Sequence, residues 1–126
     1  MVRTVMRIAL AAGAVAFMAT AAQASGDAAA GKHVFARCAI CHSDTKGAPN
    51  KIGPNLFGIV GSKAGTVPGF NFSAAMKNSG ITWTDEKLEA YVMHPQQVVP
   101  GNRMPFGGLS SKKQADDLVA YLDTLK

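Results

Sequence analysis

Cys38-Ala39-Ile40-Cys41-His42 decides the reading of this chain. Two thiols three positions apart near a helix end can each add across one vinyl group of a haem. The next side chain, His42, then lies under the iron as its proximal ligand. Three other chemistries use a Cys-x-x-Cys pair. A structural zinc wants four ligands, but the chain has no further cysteine and only His33, His42 and His94 as imidazoles. A thioredoxin-like dithiol belongs next to a βαβ pattern, whereas Gly- and Pro-rich sequence follows here. A disulfide across two intervening residues closes a very small ring and stabilises little.

Upstream of the motif the chain begins like an export signal. Arg3 and Arg7 form a positive start, Ile8 to Thr20 is almost wholly apolar, and Ala22-Gln23-Ala24 is a small-x-small cleavage site. The apolar run is short for a membrane span, which needs roughly 20 residues. The expected organisation is therefore a cleaved signal peptide over residues 1–24 and one domain over 25–126, placed in the periplasm. If the signal stays uncleaved, the domain is membrane-tethered.

The formal charge is +5, of which Arg3 and Arg7 contribute two, so the expected mature excess is +3. That modest value, with no basic run, argues against nucleic acid as a partner. A domain this small is marginal alone. A covalent haem would supply a large apolar centre for a chain with 13 Gly and 6 Pro to wrap.

Four helices are expected and no strand. Asp27 caps the first, which runs to about Cys41 with Ala30, Val34, Phe35 and Cys38 on one face. Ser73 caps a short second helix to Asn78. Thr84 caps a third to Met93, ended by Pro95, which disfavours helical geometry at His94. Ser111-Lys-Lys-Gln114 is a capping box for the last, reaching about Thr124. Ser43–Phe72 and His94–Ser110 are left as loops. Such long connections are tolerable if they pack on a cofactor.

A second iron ligand must come from Met76, Met93, Met104, His33 or His94. His33 shares the His42 helix and cannot reach the opposite face. Met76 and Met93 sit at helical positions where Met commonly fills gaps. Met104, in Pro100-Gly-Asn-Arg-Met-Pro105, serves no helical period and is the preferred ligand.

Over nearly its whole mature length the chain resembles the class I c-type cytochromes, bacterial and mitochondrial-like. The resemblance rests on Gly31-Lys-His-Val-Phe35, Cys38 to His42, Gly53-Pro-Asn-Leu56, Pro68-Gly-Phe70, Lys77 to Trp83, Tyr91, Pro100-Gly101, Met104 and Asp117 to Leu122. It implies an all-α cytochrome c fold of about four helices, with long loops around one haem c and crossing N- and C-terminal helices. It also implies thioether bonds from Cys38 and Cys41, with His42 and Met104 as axial ligands to iron. The Pro54 carbonyl would accept the other N–H of His42, Trp83 would donate to a propionate, and Tyr91 would place its hydroxyl near the Met104 sulfur. Asn102, where Thr is common, would keep a donor for the cofactor.

The function so implied is a soluble monohaem shuttle, not an enzyme. It would run from quinol–cytochrome c oxidoreductase to a terminal oxidase or photosynthetic reaction centre. The alternatives are a haem enzyme or sensor with an open distal site, and a dedicated electron-acceptor subunit of a periplasmic dehydrogenase. Docking of these membrane complexes is expected at an exposed haem edge ringed by Arg37, Lys51, Arg103, Lys112 and Lys113, by a monomer. Gln96 and Gln97 stand where mitochondrial relatives carry lysines, so docking should depend less on salt.

Overall fold

The computed structural model describes residues 11–16 and 26–126. The expected cleavage site lies outside the described residues. Five helices follow in order: α1 (Ala28–Phe35), α2 (Ala74–Lys77), α3 (Asp85–Met93), α4 (Pro95–Val98) and α5 (Lys112–Asp123). Among the described residues the only β pairing is an isolated antiparallel bridge between Lys63 and Thr82. The architecture is all-α.

Four helix starts are built by the side chains expected to build them. The Asp27 carboxylate accepts from the amides of Ala29 and Ala30, Ser73 from Met76, Thr84 from Lys87 and Ser111 from Gln114. Each cap satisfies an amide that the first helical turn leaves without a partner. The Ser111 box is half made, because among the described residues only the Ser111 oxygen bonds across it.

Two boundaries differ from the expected ones. Regular helix α1 stops at Phe35, not Cys41. Beyond it the chain keeps winding with mixed spacing: Cys38 N bonds Phe35 O at 2.7 Å, Ala39 N the same oxygen at 2.8 Å, and His42 N bonds Cys38 O at 2.9 Å. The cysteines therefore sit on a tightened, irregular turn. Helix α4 is additional, inside a segment expected to be loop. Pro95 ends α3 by holding His94 at φ −139°, and the same residue starts α4, since a proline at the first helical position gives up an amide that would be unpaired anyway.

Helices α1 and α5 cross at close range. A methyl on Gly31 would run into the Asp117 carbonyl, so glycine lets the two backbones meet. Phe35 and Tyr121 pack across the crossing with ring centroids 5.4 Å apart. Asp117, itself buried, accepts the Asp27 amide at 2.9 Å and the Lys113 ammonium at 2.7 Å. This ties the start of α1 to α5. Leu88, Tyr91, Leu118, Val119 and Leu122 join the same apolar cluster, on which Cys38, Leu56, Trp83 and Met104 also pack. Each fully buried aliphatic side chain contributes about 1.5–3 kcal/mol. Near α3, Gly108 sits at φ 111° and so close to Met93 that a side chain there would strike the Met93 carbonyl. The next residue, Leu109, then donates to Val92 O at 2.8 Å. The loop carrying Met104 is thereby closed back on α3.

Candidate functional site

The site begins at the turn after α1. Cys38 and Cys41 are both free thiols and both half-buried. Burial pushes the Cys38 thiol up, so it is held as the protonated thiol. The pair is not spent on a disulfide, which is the state thioether formation requires.

His42 is oriented by the segment Ile52–Asn55. Its Nδ1 lies 2.7 Å from the Pro54 carbonyl. That oxygen can only accept, so Nδ1 carries the proton and Nε2 presents its lone pair. Burial lowers the His42 pKa, which keeps the ring neutral, while the Pro54 bond opposes that shift. The loop is held on the motif by the Gly53 amide donating to Cys41 O at 2.8 Å. Gly53 faces the imidazole so closely that a methyl there would overlap the ring. Sequence reading placed Gly53 in a matching segment without giving it this role. The signal available was a glycine directly before Pro54.

On the other side of the core, Tyr91 and Met104 meet. Tyr91 is buried, its phenol pKa is pushed up to about 12 by that burial, and its hydroxyl lies 4.0 Å from the Met104 sulfur. Trp83 packs on Tyr91 with ring centroids 5.0 Å apart. It is 4% exposed. An imidazole with a fixed free Nε2 and two unpaired thiols together fit a covalently held haem.

Asn102 behaves differently from expectation. Its amide donates to Pro95 O at 3.0 Å and to Val99 O at 2.9 Å, and its Oδ1 accepts the Met104 amide at 2.9 Å. Both amide hydrogens are thus used within the loop. Asn102 has none left for a propionate, and the expected cofactor contact gives way to an internal one.

The expected ring of cations is also thinned. Lys112 pairs with Glu89 at 2.8 Å and Asp116 at 3.1 Å, and Lys113 pairs with Asp117. The Lys51 ammonium donates to Ala39 O at 2.6 Å, and the Arg37 guanidinium stands 5.8 Å from the Phe106 ring centre. Ile40, between the cysteines, is 74% exposed and Ile52, beside His42's loop, is 69% exposed.

The chain is similar to known proteins over most of its length. The cytochrome c family model matches residues 28–126. Cytochrome c2 of Rhodopila globiformis is 47% identical over 102 residues, covering 80% of this chain and 95% of the relative. Cytochrome c of Euglena viridis is 46% identical, covering 80% of this chain and 99% of its own length. Among solved structures, cytochrome cH from Methylobacterium extorquens superposes with a TM-score of 0.74 at 47% identity, covering 79% of this chain and 99% of that one. Cytochrome c2 from Rhodospirillum centenum superposes at 0.77 with 33% identity, covering 80% and 99%. With haem c held by Cys38 and Cys41 and electron transfer rather than catalysis as its work, the chain belongs to the cytochrome c family.

Proposed function

We propose that the protein is a one-electron shuttle of the bacterial periplasm, in which His42 and Met104 would both bind the haem iron. The observation that carries this is the fixed His42 tautomer, with Nδ1 committed to Pro54 and Nε2 left to bind. The Tyr91 hydroxyl beside the Met104 sulfur supports the same reading from the other ligand. Bound, the haem iron supplies one reversible electron step, at a potential raised by a Met ligand.

The chain's own residues do the rest. Pro54 orients the imidazole and raises its basicity. Tyr91 holds the thioether from the protein side. Trp83 offers its N–H to a carboxylate of the cofactor. The apolar cluster that includes Leu56, Trp83, Tyr91 and Leu118 would exclude water around the cofactor.

Residues 1–24 would direct export and be removed, leaving one domain over 25–126. No helix among the described residues is long and apolar enough to cross a membrane. The partners would be membrane redox complexes, a quinol-oxidising donor and an oxidase or reaction centre as acceptor. They would dock where Ile40 and Ile52 stand exposed, with Arg37, Lys51 and Arg103 at the margin. Because Lys112 and Lys113 are neutralised by their own carboxylates, apolar contact carries more of this docking than steering does.

The test is carbon monoxide binding to the reduced, haem-loaded protein. A closed site excludes the gas except on opening of the Met104 loop. Rapid, stoichiometric binding would replace this reading with an open-site haem enzyme or sensor.

A further inference from the structure

Met104 is reached from α4 by a turn, Pro100-Gly101-Asn102-Arg103, that has to close in one way to present the sulfur. Gly101 supplies the bend at φ 87°. The Asn102 amide closes the inner side of the turn on Pro95 and Val99. The outer side is closed by Gln96, which is solvent-exposed yet does not extend into water. Its Nε2 donates to Asn102 O at 3.1 Å, and its Oε1 accepts the Gly101 amide at 3.2 Å. One amide group thus grips the backbone of two successive residues. Ordering a long side chain at the surface carries an entropic cost that these two bonds offset.

We propose that Gln96 is a positioning residue for Met104: its amide clasps the turn against α4 and so sets how often the sulfur leaves the iron. The proposal rests on the His42/Met104 reading above. The clasp needs a donor and an acceptor on one side chain. Lysine has donors only and glutamate acceptors only, so neither reproduces it. The Gln96 position, read from sequence only as a missing docking charge, takes a mechanical role.

The experiment uses the haem-loaded protein as wild type, Gln96→Ala and Gln96→Glu. Amide hydrogen exchange at Gly101 and Met104 reports the clasp itself. Displacement of Met104 by added imidazole, followed by loss of the weak red absorption band of sulfur–iron ligation, reports its consequence at the metal. In Gln96→Ala we expect exchange at Gly101 to quicken about tenfold and half-displacement to need about tenfold less imidazole, the size of one or two lost hydrogen bonds. The melting temperature falls by no more than those bonds account for, whereas Ser111→Ala, which removes the cap of α5 and lowers it comparably, leaves imidazole displacement at its wild-type value. Gln96→Glu keeps the acceptor for Gly101 and falls between the two.

Wild-type behaviour of Gln96→Ala in both readouts overturns the proposal. So does faster Gly101 exchange with unchanged imidazole displacement, because the clasp would then not act on Met104. Equally easier imidazole displacement in Ser111→Ala overturns it as well, since any loss of stability would then loosen Met104. If the wild type itself lacks the red band, the axial-ligand reading fails separately, and the Gly101 exchange ratio alone decides whether Gln96 clasps the turn.

Discussion

Gly53→Ala tests the tightest designed contact at the site. The Cβ added at residue 53 would lie 2.8 Å from Nδ1 and 2.9 Å from Nε2 of His42, and nearer still to Cε1. Gly53 is not among the positive-φ glycines, so backbone strain contributes nothing to the cost. The ring is tethered through its iron and the adjacent thioethers, so the loop must retreat. Overpacking of this kind costs about 1–3 kcal/mol. Retreat also lengthens the bond between His42 and Pro54, worth about 1 kcal/mol. We expect Gly53→Ala to lose about 2–4 kcal/mol in denaturant unfolding of the haem-loaded protein. The reduction potential should rise at the same time, because an imidazole without its Pro54 acceptor is less basic and favours the reduced iron. Gly107→Ala is the control: nothing lies within 4 Å of its new methyl, and its cost should stay within about 0.5 kcal/mol. A Gly53→Ala protein with wild-type stability and potential would mean that the segment does not press on His42.

Three further outcomes follow from the same contacts. Asp123 has its carboxyl pKa raised to about 6 by burial and by its hydrogen bond to Asp85, with Lys126 opposing. The fold therefore favours the neutral acid, and that stabilisation is present below the unfolded value and lost as pH rises through about 6. Asp123→Asn should match wild type near pH 4 and exceed it by about 1 kcal/mol at pH 7, a figure reduced for solvent screening; equal unfolding midpoints at both pH values would contradict this. The Tyr121 hydroxyl donates to the Asp44 carboxylate at 2.6 Å and joins α5 to the segment after His42, so Tyr121→Phe should lower stability by about 1 kcal/mol at neutral pH, read in denaturant, and an unchanged midpoint would remove the tie. Electron-transfer rate with an acidic membrane complex should stay within about tenfold between low and high salt, and a steeper fall in stopped-flow measurements would restore charge steering as the main docking force.

The parts of this fold that were legible in sequence are those written in local chemistry. Asp27, Ser73, Thr84 and Ser111 announce helix starts because a short polar side chain before an apolar stripe has one economical use. The haem attachment is legible because Cys38, Cys41 and His42 need fixed spacing to act together. Met104 stands out in the sequence by contrast, since a methionine between prolines serves no helical face. What stayed hidden depends on distant backbone. That α1 stops at Phe35 follows from competing bonds to Phe35 and Cys38 oxygens, which no residue type signals. The start of α4 was hidden by Pro95, whose effect on the preceding helix masks its support for the next. Asn102 carries the same amide whether it faces a cofactor or Pro95. The pairings of Lys112 with Glu89 and of Tyr121 with Asp44 appear only once α5 is laid against α3 and α1.

Whether His42 and Met104 both bind the iron is decided by the absorption spectrum of the oxidised, haem-loaded protein. The weak red band of sulfur–iron ligation is expected in wild type and lost in Met104→Ala, with Met76→Leu and Met93→Leu retaining it. No band in wild type, or a band that survives Met104→Ala, would exclude Met104 as the second ligand.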